Sequence, residues 1–276
     1  MQTGYYPLGD SRIHFSSWGR GHTLLICLHG YGESAESFAF LAEVLGGEYT
    51  VVAIDMPFHG KTEWKGGLLF RPGDLLQVID HIVTGMPWVR GGWRLMGYSM
   101  GGRVALQLVE MIPEKMAGVV LIAPDGLVVN PWYWLATQTR WGNRLFRWTM
   151  RWPGWFFFFL RAGHFLGVVN PSVYKFTKHY IGDRQVREEL YKRWTVMRGF
   201  RPSLRVVRDC ILSFTIPVRL IYGRYDRIIR WERGEQFRRG GLEPYCELIL
   251  LEAGHQLLRP AHREVLVAAL SAGEGK

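Results

Sequence analysis

One ten-residue stretch, WRLMGYSMGG at Trp93–Gly102, constrains the fold of this chain more than any other. An apolar run typical of a buried strand leads into GYSMG, and a helical pattern follows over 103–111. The order predicts a strand, a sharp turn and a helix, with Ser99 at the turn. Gly97 and Gly101 leave room for a close approach of strand and helix where a side chain would clash. Ser99 is therefore expected at a helix N-terminus, where backbone N–H groups favour a developing oxyanion.

Short apolar runs alternate with helical patterns before and after this stretch. Runs that are apolar on both faces predict central strands of a covered sheet. The predicted strands are Tyr5–Leu8, Ile13–Trp18, Thr23–Leu28, Tyr49–Ile54, Trp93–Tyr98, Gly118–Ala123, Pro217–Tyr222 and Cys246–Leu251, the first two forming a hairpin. The predicted helices are Ser34–Leu45, Asp74–Val83, Arg103–Met111 and Pro260–Leu270. This alternation implies an α/β fold with a parallel sheet covered on both faces.

The alternation stops between Gly126 and Arg208, where helical stretches rich in Trp, Phe and Arg contain no convincing strand. We therefore predict a core of residues 1–125 and 209–276, and a helical insertion of residues 126–208. The net charge of +10 is concentrated in the insertion, which has fifteen Lys and Arg against three Asp and Glu, a balance of +12. Because the basic character belongs to one segment, we do not expect nucleic acid as a partner.

Two polar residues follow predicted strands near the C-terminus: Asp226 after RLIY and His255 after ELILL. The carboxyl ends of the strands form the ligand crevice of an open α/β sheet. A serine nucleophile needs a base to take its proton, and the base needs an acid to hold its tautomer. Ser99, His255 and Asp226 are the predicted catalytic residues. Asp125, after the strand GVVLIA, is the alternative acid.

In this chain order of Ser, Asp and His, the sequence resembles an α/β-hydrolase. The motifs that carry the resemblance are His29-Gly30 (oxyanion loop), GYSMGG (nucleophile elbow), Gly223–Asp226 (acid turn) and Ala253-Gly254-His255 (histidine loop). The resemblance implies an eight-stranded, mostly parallel sheet with helices on both faces and a helical cap inserted after strand 6. It also implies that Ser99 attacks a carbonyl, that His255 acts as general base and then general acid, and that Asp226 orients the imidazole.

Further site residues follow from the same resemblance. The backbone N–H groups of Met100 and Tyr31 would form the oxyanion hole. Candidate substrate-binding residues are His29, Gly30, Tyr98 and Arg103, with His29 interpreted as a structural residue beneath the oxyanion loop. The loop DMPFHGKT at 55–62 resembles the family's D-x-P-G-x-G-x-S, departs from it at Phe58 and His59, and is interpreted as structural. The histidines show no metal-ligand spacing, so neither a metal nor a cofactor is expected.

The predicted function is hydrolysis of a small-molecule carboxylic ester or thioester with an apolar portion. Serine rather than aspartate at position 99 disfavours the dehalogenase and epoxide hydrolase branches of the family. GYSMGGRVAL is similar to the pyruvate-eliminating synthase of menaquinone biosynthesis, so a lyase is an alternative. Arg103, in a first helical turn, opposes the helix dipole and needs a protein carboxylate or an anionic substrate to offset it. A lipase at a membrane surface and a non-enzymatic ligand-binding protein are further alternatives.

The arginines at 140, 144, 147 and 151 recur every three or four residues and share one helical stripe, with the aromatic side chains expected on the opposite surface. The interpretations are a lid that lines an apolar pocket, an interfacial helix pair on a membrane, a dimer surface, or a solvated face over an ordinary core. Neither a signal peptide nor an apolar span is indicated, so the expected location is cytoplasmic, or peripheral to a membrane through the cap. Cys27, Cys210 and Cys246 are expected to be reduced thiols. The oligomeric state stays open.

Overall fold

The structure is a computed structural model that describes residues 1–128, 130–167, 174 and 181–271. Over these residues it contains an eight-stranded sheet. The strands are β1 (Gln2–Leu8), β2 (Ser11–Trp18), β3 (Thr23–Leu28), β4 (Tyr49–Ile54), β5 (Trp93–Tyr98), β6 (Met116–Ile122), β7 (Val218–Gly223) and β8 (Cys246–Leu251).

The strands lie in the order β1-β2-β4-β3-β5-β6-β7-β8. Strand β2 pairs antiparallel with β1 and with β4, and every other neighbouring pair is parallel. This confirms the mostly parallel eight-stranded sheet predicted from the sequence. The chain runs outward from β3 to β4 and then returns to β5 on the other side of β3. Such a reversal opens a crevice at the carboxyl ends of the strands, between β3 and β5.

Some of the helices pack against the sheet and explain its continuous apolar runs, and others belong to the insertion. In chain order they are α1 (Ala39–Leu45), α2 (Pro72–Thr84), α3 (Met100–Met111), α4 (Pro131–Gln138), α5 (Arg140–Arg151), α6 (Gly154–Phe165), α7 (Arg184–Val196), α8 (Leu204–Ser213), α9 (Glu232–Arg238) and α10 (Arg263–Ser271). Helix α1 packs beside α10, while α3 packs beside both α2 and α8. Every residue of β4 and β5 is buried, as expected for strands covered on both faces.

The described residues divide into two compact units. One comprises Met1–Gly66, Phe70–Val128 and Gly199–Lys276 and holds the sheet, and the other comprises Gly67–Leu69 and Val129–Arg198 and holds α4 to α7. The sequence analysis placed residues 126–128 and 199–208 in the insertion, but both segments lie in the sheet unit. Residues 199–208 are held there by the packing of α8 on α3 and by two hydrogen bonds just before α8. Gln107 accepts one from the Arg201 N–H at 2.8 Å, and Glu110 accepts one from the Ser203 N–H at 2.8 Å.

The helix α9 was not predicted from the sequence. Its seven residues, ERGEQFR, lack an apolar period, and only Gly234 and Phe237 are buried. The glycine is required by packing, because a β-carbon there would lie 2.4 Å from the ring of Tyr222. The helix is held by one buried phenylalanine and one close-packed glycine. These two residues do not give the sequence a helical repeat of apolar positions.

In the second unit, α4, α5 and α7 pack through aromatic and polar contacts. The ring of Trp194 lies 5.4 Å from that of Tyr133 and 5.7 Å from that of Phe146. Arg187 is buried, and its guanidinium donates hydrogen bonds to the carbonyl oxygens of Met150, Ile181 and Gly182 at 2.7–2.8 Å. The Arg187 guanidinium at the Met150 carbonyl offsets the negative end of the α5 helix dipole. Arg187 therefore connects α7 to the C-terminal end of α5.

The arrangement of side chains around α5 differs from the sequence expectation. At about 100° per residue, the four arginines fall within roughly 60° of one another, which confirms their shared stripe. Trp141, Trp148 and Trp152 form a second stripe only about 100° away, and they are exposed. The buried side of α5 is formed by Gly142 and Met150, together with Thr149. The aromatic stripe therefore lies beside the arginines rather than opposite them.

We expect Gly101→Ala to destabilise the sheet unit by at least about 3 kcal/mol. A β-carbon on Gly101 would lie 1.9 Å from the carbonyl oxygen of Leu28, a backbone atom that no rotamer change can move. The matched control is Gly73→Ala near the start of α2, where a β-carbon would meet no described atom within 4 Å. The control should be neutral or stabilising by up to about 1 kcal/mol. Urea denaturation followed by circular dichroism measures both, and equal effects would contradict the close approach.

Candidate active site

Ser99 stands between β5 and α3 in a strained backbone conformation, with φ +50° and ψ −112°. A non-glycine residue rarely adopts this region, and such strain persists only where the surroundings hold it. The Ser99 N–H donates to the Ile122 carbonyl at 2.9 Å, while its own carbonyl accepts from the N–H groups of Gly102 at 2.9 Å and Asp125 at 2.8 Å. A β-carbon on Gly97 would lie 2.5 Å from the Gly101 carbonyl oxygen, so the turn closes only with glycine there.

His255 follows β8 and contacts the serine directly. Its Nε2 lies 3.2 Å from Ser99 Oγ, and its Nδ1 lies 2.7 Å from Asp226 Oδ2. The carboxylate beside Nδ1 assigns the tautomer with hydrogen on Nδ1, which leaves Nε2 free to accept the serine hydroxyl proton. The Tyr98 hydroxyl donates a hydrogen bond to the His255 carbonyl at 3.2 Å and so helps to fix the histidine loop. Burial, followed by the charges of Glu33 and Asp226, raises the pKa of Tyr98 to about 12.

Asp226 follows β7 and is buried. Its second oxygen, Oδ1, accepts hydrogen bonds from the N–H groups of Ile228 at 2.8 Å and Ile229 at 3.0 Å. Burial by itself would raise the pKa of Asp226. The hydrogen bonds from His255 and from these two N–H groups outweigh burial and hold the pKa below its usual value. Asp226 is thus held as a carboxylate against the imidazole.

The alternative acid, Asp125, lies in a different environment. Its Oδ2 lies 3.4 Å from Nη1 of Arg103, a residue that is itself buried. The protein thus supplies a carboxylate to offset the Arg103 charge at the start of α3. The histidine is brought together with Asp226, whereas Asp125 is brought together with Arg103.

The oxyanion-loop residues lie at the carboxyl end of β3. His29 Nε2 accepts a hydrogen bond from the Met56 N–H at 3.0 Å, and its Nδ1 donates to the Gly30 carbonyl at 2.8 Å. Both ring nitrogens are thereby engaged with the backbone. A β-carbon on Gly30 would lie 2.9 Å from the Tyr98 ring, so glycine lets this loop pack against the elbow. Met100 is the first residue of α3, and its N–H therefore has no intrahelical acceptor.

The loop 55–62 contains a buried network that sequence reasoning did not resolve. Asp55 Oδ2 lies 2.7 Å from Nδ1 of buried His14 and also accepts the Lys61 N–H at 2.8 Å, while Oδ1 accepts the Ala35 N–H at 2.6 Å. Phe58 stands where the motif that this loop resembles has glycine, and its φ of +64° is a backbone conformation that favours glycine. The only signal in the sequence was the aspartate at the end of β4, and its partner His14 is 41 residues away.

The cysteine thiols make none of the contacts described above. The three cysteines are free thiols. Burial raises the pKa of Cys27 and of Cys210, and it raises that of Cys246 to about 12. Among the described residues, no group of three or more His, Cys, Asp or Glu is placed to hold a metal ion. Within the same part of the chain, no helix has both the length and the apolar character to cross a bilayer.

A comparison with protein families decides the relationship suggested by this geometry. The family model described as the alpha/beta hydrolase fold matches residues 23–257. The chain belongs to the α/β-hydrolase family. In this α/β-hydrolase, Ser99, Asp226 and His255 follow the strands β5, β7 and β8, respectively.

Several known proteins are similar to parts of this α/β-hydrolase. The acetyltransferase component of the acetoin cleaving system of Pseudomonas putida is 33% identical over 116 residues, which are 41% of this chain and 30% of that protein. The pimeloyl-[acyl-carrier protein] methyl ester esterase of Citrobacter koseri is 30% identical over 111 residues, 40% of each protein. The chain thus spans well under half of these relatives. A thermophilic esterase from Thermogutta terrifontis shares the fold, with a TM-score of 0.64, 20% identity, and coverage of 98% of this chain and 96% of that one.

We expect Asp226→Asn to alter how stability depends on pH. Because the folded pKa of Asp226 is lowered, its stabilising contribution is complete above the unfolded pKa of about 3.9 and is lost as pH falls through the folded pKa. The free energies of unfolding of wild type and variant should therefore converge as the solution becomes more acidic than about pH 4. Urea titrations from neutral to acidic pH measure this, and a constant difference would contradict it.

Proposed function

We propose that this α/β-hydrolase cleaves a carboxylic ester or thioester through an acyl-enzyme intermediate. The observation that carries the proposal is the hydrogen-bonded series Ser99 Oγ, His255 Nε2, His255 Nδ1 and Asp226 Oδ2, with distances of 3.2 and 2.7 Å. A nucleophile within reach of a base, and a base oriented by a buried carboxylate, is the arrangement that acyl transfer requires.

In the first half-reaction, Ser99 Oγ attacks the carbonyl carbon while His255 Nε2 takes the hydroxyl proton. The tetrahedral intermediate collapses as the imidazolium returns that proton to the departing alcohol or thiol. Water then attacks the acyl-enzyme with the same base, and the carboxylic acid is released as Ser99 regains its proton. Asp226 stabilises the imidazolium in both halves without taking a proton itself.

The negative charge of each tetrahedral intermediate would be held by the N–H groups of Met100 and Tyr31. Met100 begins α3, so its N–H also carries the positive end of the helix dipole. One such donor is worth about 3 to 4 kcal/mol in the transition state. In this proposal, His29 and Gly30 shape the loop that presents the second donor, and Tyr98 positions His255.

The proposed substrate class is supported by the relatives and by Arg103. The Citrobacter koseri relative is named as a methyl ester esterase and the Thermogutta terrifontis structure as an esterase. Arg103 lies 3.4 Å from Asp125, so its charge is offset within the protein and does not require an anionic substrate. This favours an ester or thioester with an apolar portion over the substrate of a pyruvate-eliminating lyase.

We expect a fluorophosphonate probe to label wild type and not Ser99→Ala. The variant should also lose p-nitrophenyl ester turnover by roughly 10⁴-fold or more, because the attacking oxygen is removed. Ser203→Ala is the matched control, since that serine makes no capping hydrogen bond with its side chain. Labelling that persists in Ser99→Ala would overturn the assignment. Labelling without turnover of any acyl chain length would indicate a ligand-binding protein instead.

We expect Asp226→Asn to lower the turnover number by roughly 10⁴-fold, because the imidazole loses the partner that fixes its tautomer. Asp125→Asn is the matched control and should retain near wild-type turnover, because Asp125 contacts Arg103 rather than His255. Steady-state hydrolysis of one p-nitrophenyl ester by both variants measures the difference. A larger loss in Asp125→Asn would assign the acid to that residue.

A further inference from the structure

Helices α4, α5 and α6 carry an unusual number of large exposed apolar side chains. Ten of them, 42% to 91% exposed, fall between positions 132 and 166, and we call this set the aromatic surface. Its members are Trp132, Trp134, Trp141, Leu145, Trp148, Trp152, Phe158, Phe159, Phe165 and Leu166. Exposed apolar side chains scattered singly are ordinary, whereas a large apolar patch marks an interaction site.

The aromatic surface continues from α5 to α6 through ring contacts. Trp148 stacks on Trp155 with centroids 5.6 Å apart and planes 18° from parallel, and Trp155 contacts Phe159 at 6.3 Å. Phe159 in turn meets Phe158 at 5.4 Å. The tryptophan stripe of α5 and the phenylalanine run of α6 therefore form one apolar face.

Helix α6 is apolar around most of its circumference, yet no residue in it is buried. A helix with this composition is ordinarily enclosed by protein or lipid. With twelve residues it is too short to cross a bilayer, which needs about 20. Its composition suits a position within the interface, parallel to a membrane plane.

The charge pattern around this face favours one class of partner. The chain contains no Asp or Glu between Gly126 and Gly182, and five arginines accompany α5 and α6. The arginine stripe of α5 lies beside the tryptophan stripe, so both would meet the same partner. A second copy of the chain would oppose arginine to arginine with no carboxylate to neutralise them. An apolar medium bordered by negative charge fits both stripes.

We propose that the aromatic surface docks on bilayers that contain anionic phospholipids. The tryptophan and phenylalanine rings enter the boundary between headgroups and acyl chains, where amphipathic rings are favoured. The arginines on α5 bind lipid phosphates, to which their planar donors are matched. Single-stranded nucleic acid could use the same residue types, but it offers no apolar medium for the leucines and the unburied phenylalanines of α6.

The first test is sedimentation of the full chain with vesicles of phosphatidylcholine, with and without phosphatidylglycerol. We expect recovery with the anionic vesicles to exceed that with the neutral vesicles and to fall as salt is raised. Ser99→Ala should sediment like wild type, because docking does not depend on the proposed esterase activity. Equal recovery with both vesicle types, or none with either, would overturn the proposal.

The second test separates the arginine stripe from total charge. A variant with Gln at positions 140, 144, 147 and 151 should bind anionic vesicles on the order of 100-fold more weakly. The matched control replaces four exposed arginines of the sheet unit, at positions 71, 90, 233 and 263, with Gln and should bind close to wild type. Circular dichroism and urea denaturation verify that both are folded. Equal weakening of the two variants would contradict docking through α5.

The third test addresses the rings and the rival partners. Trp141→Ser combined with Trp152→Ser should lose at least about 10-fold in vesicle binding at both low and high salt, because the lost contribution is apolar. A single-stranded oligonucleotide that binds more tightly than the vesicles, or a dimer abolished by these substitutions, would overturn the lipid assignment in favour of nucleic acid or a second copy.

Discussion

The close approach of helix α3 to strands β3 and β5 is the constraint on which the candidate active site depends. Gly101 lies against the Leu28 carbonyl and Gly97 against the Gly101 carbonyl, at distances that exclude a β-carbon. Because the helix lies so near, a single residue, Ser99, connects β5 to α3. Ser99 therefore adopts a strained backbone conformation with a positive φ. Three backbone hydrogen bonds to Ser99 then hold a conformation that the residue would not adopt by itself.

The other two members of the site owe their position to the parallel sheet. Strands β7 and β8 end at the same edge as β5, so the short segments after them bring Asp226 and His255 to the serine from residues more than a hundred positions away. Local hydrogen bonds complete the arrangement: Ile228 and Ile229 fix the carboxylate, and the Tyr98 hydroxyl holds the histidine loop. Burial and hydrogen bonding therefore shift the pKa of a carboxylate whose orientation is already fixed.

The sequence predicted the existence and order of the eight strands most reliably. The bounds of β3, β4, β5 and β8 agree to the residue. Those of β6 and β7, which are also largely buried, differ by one or two residues, because apolar residues alone do not mark where a strand ends. Helix α9 was missed because its sequence has no apolar period. The contact of His14 with Asp55 was missed because the two residues are far apart in the chain. The stripe of arginines on α5 was evident from spacing, but whether the tryptophans beside it were covered depended on tertiary packing. The sequence also could not decide whether the partner of Arg103 is a protein carboxylate or an anionic substrate.

The aromatic surface also has a consequence for the protein in solution. A molecule that displays ten large apolar side chains would be expected to self-associate, yet each copy presents the same acid-free set of arginines beside them. Like-charge repulsion between these faces opposes their contact, and it acts only over about a Debye length, near 8 Å at physiological ionic strength. Added salt would therefore weaken what keeps the copies apart while leaving the apolar attraction intact. We therefore expect self-association of this protein to increase as ionic strength is raised.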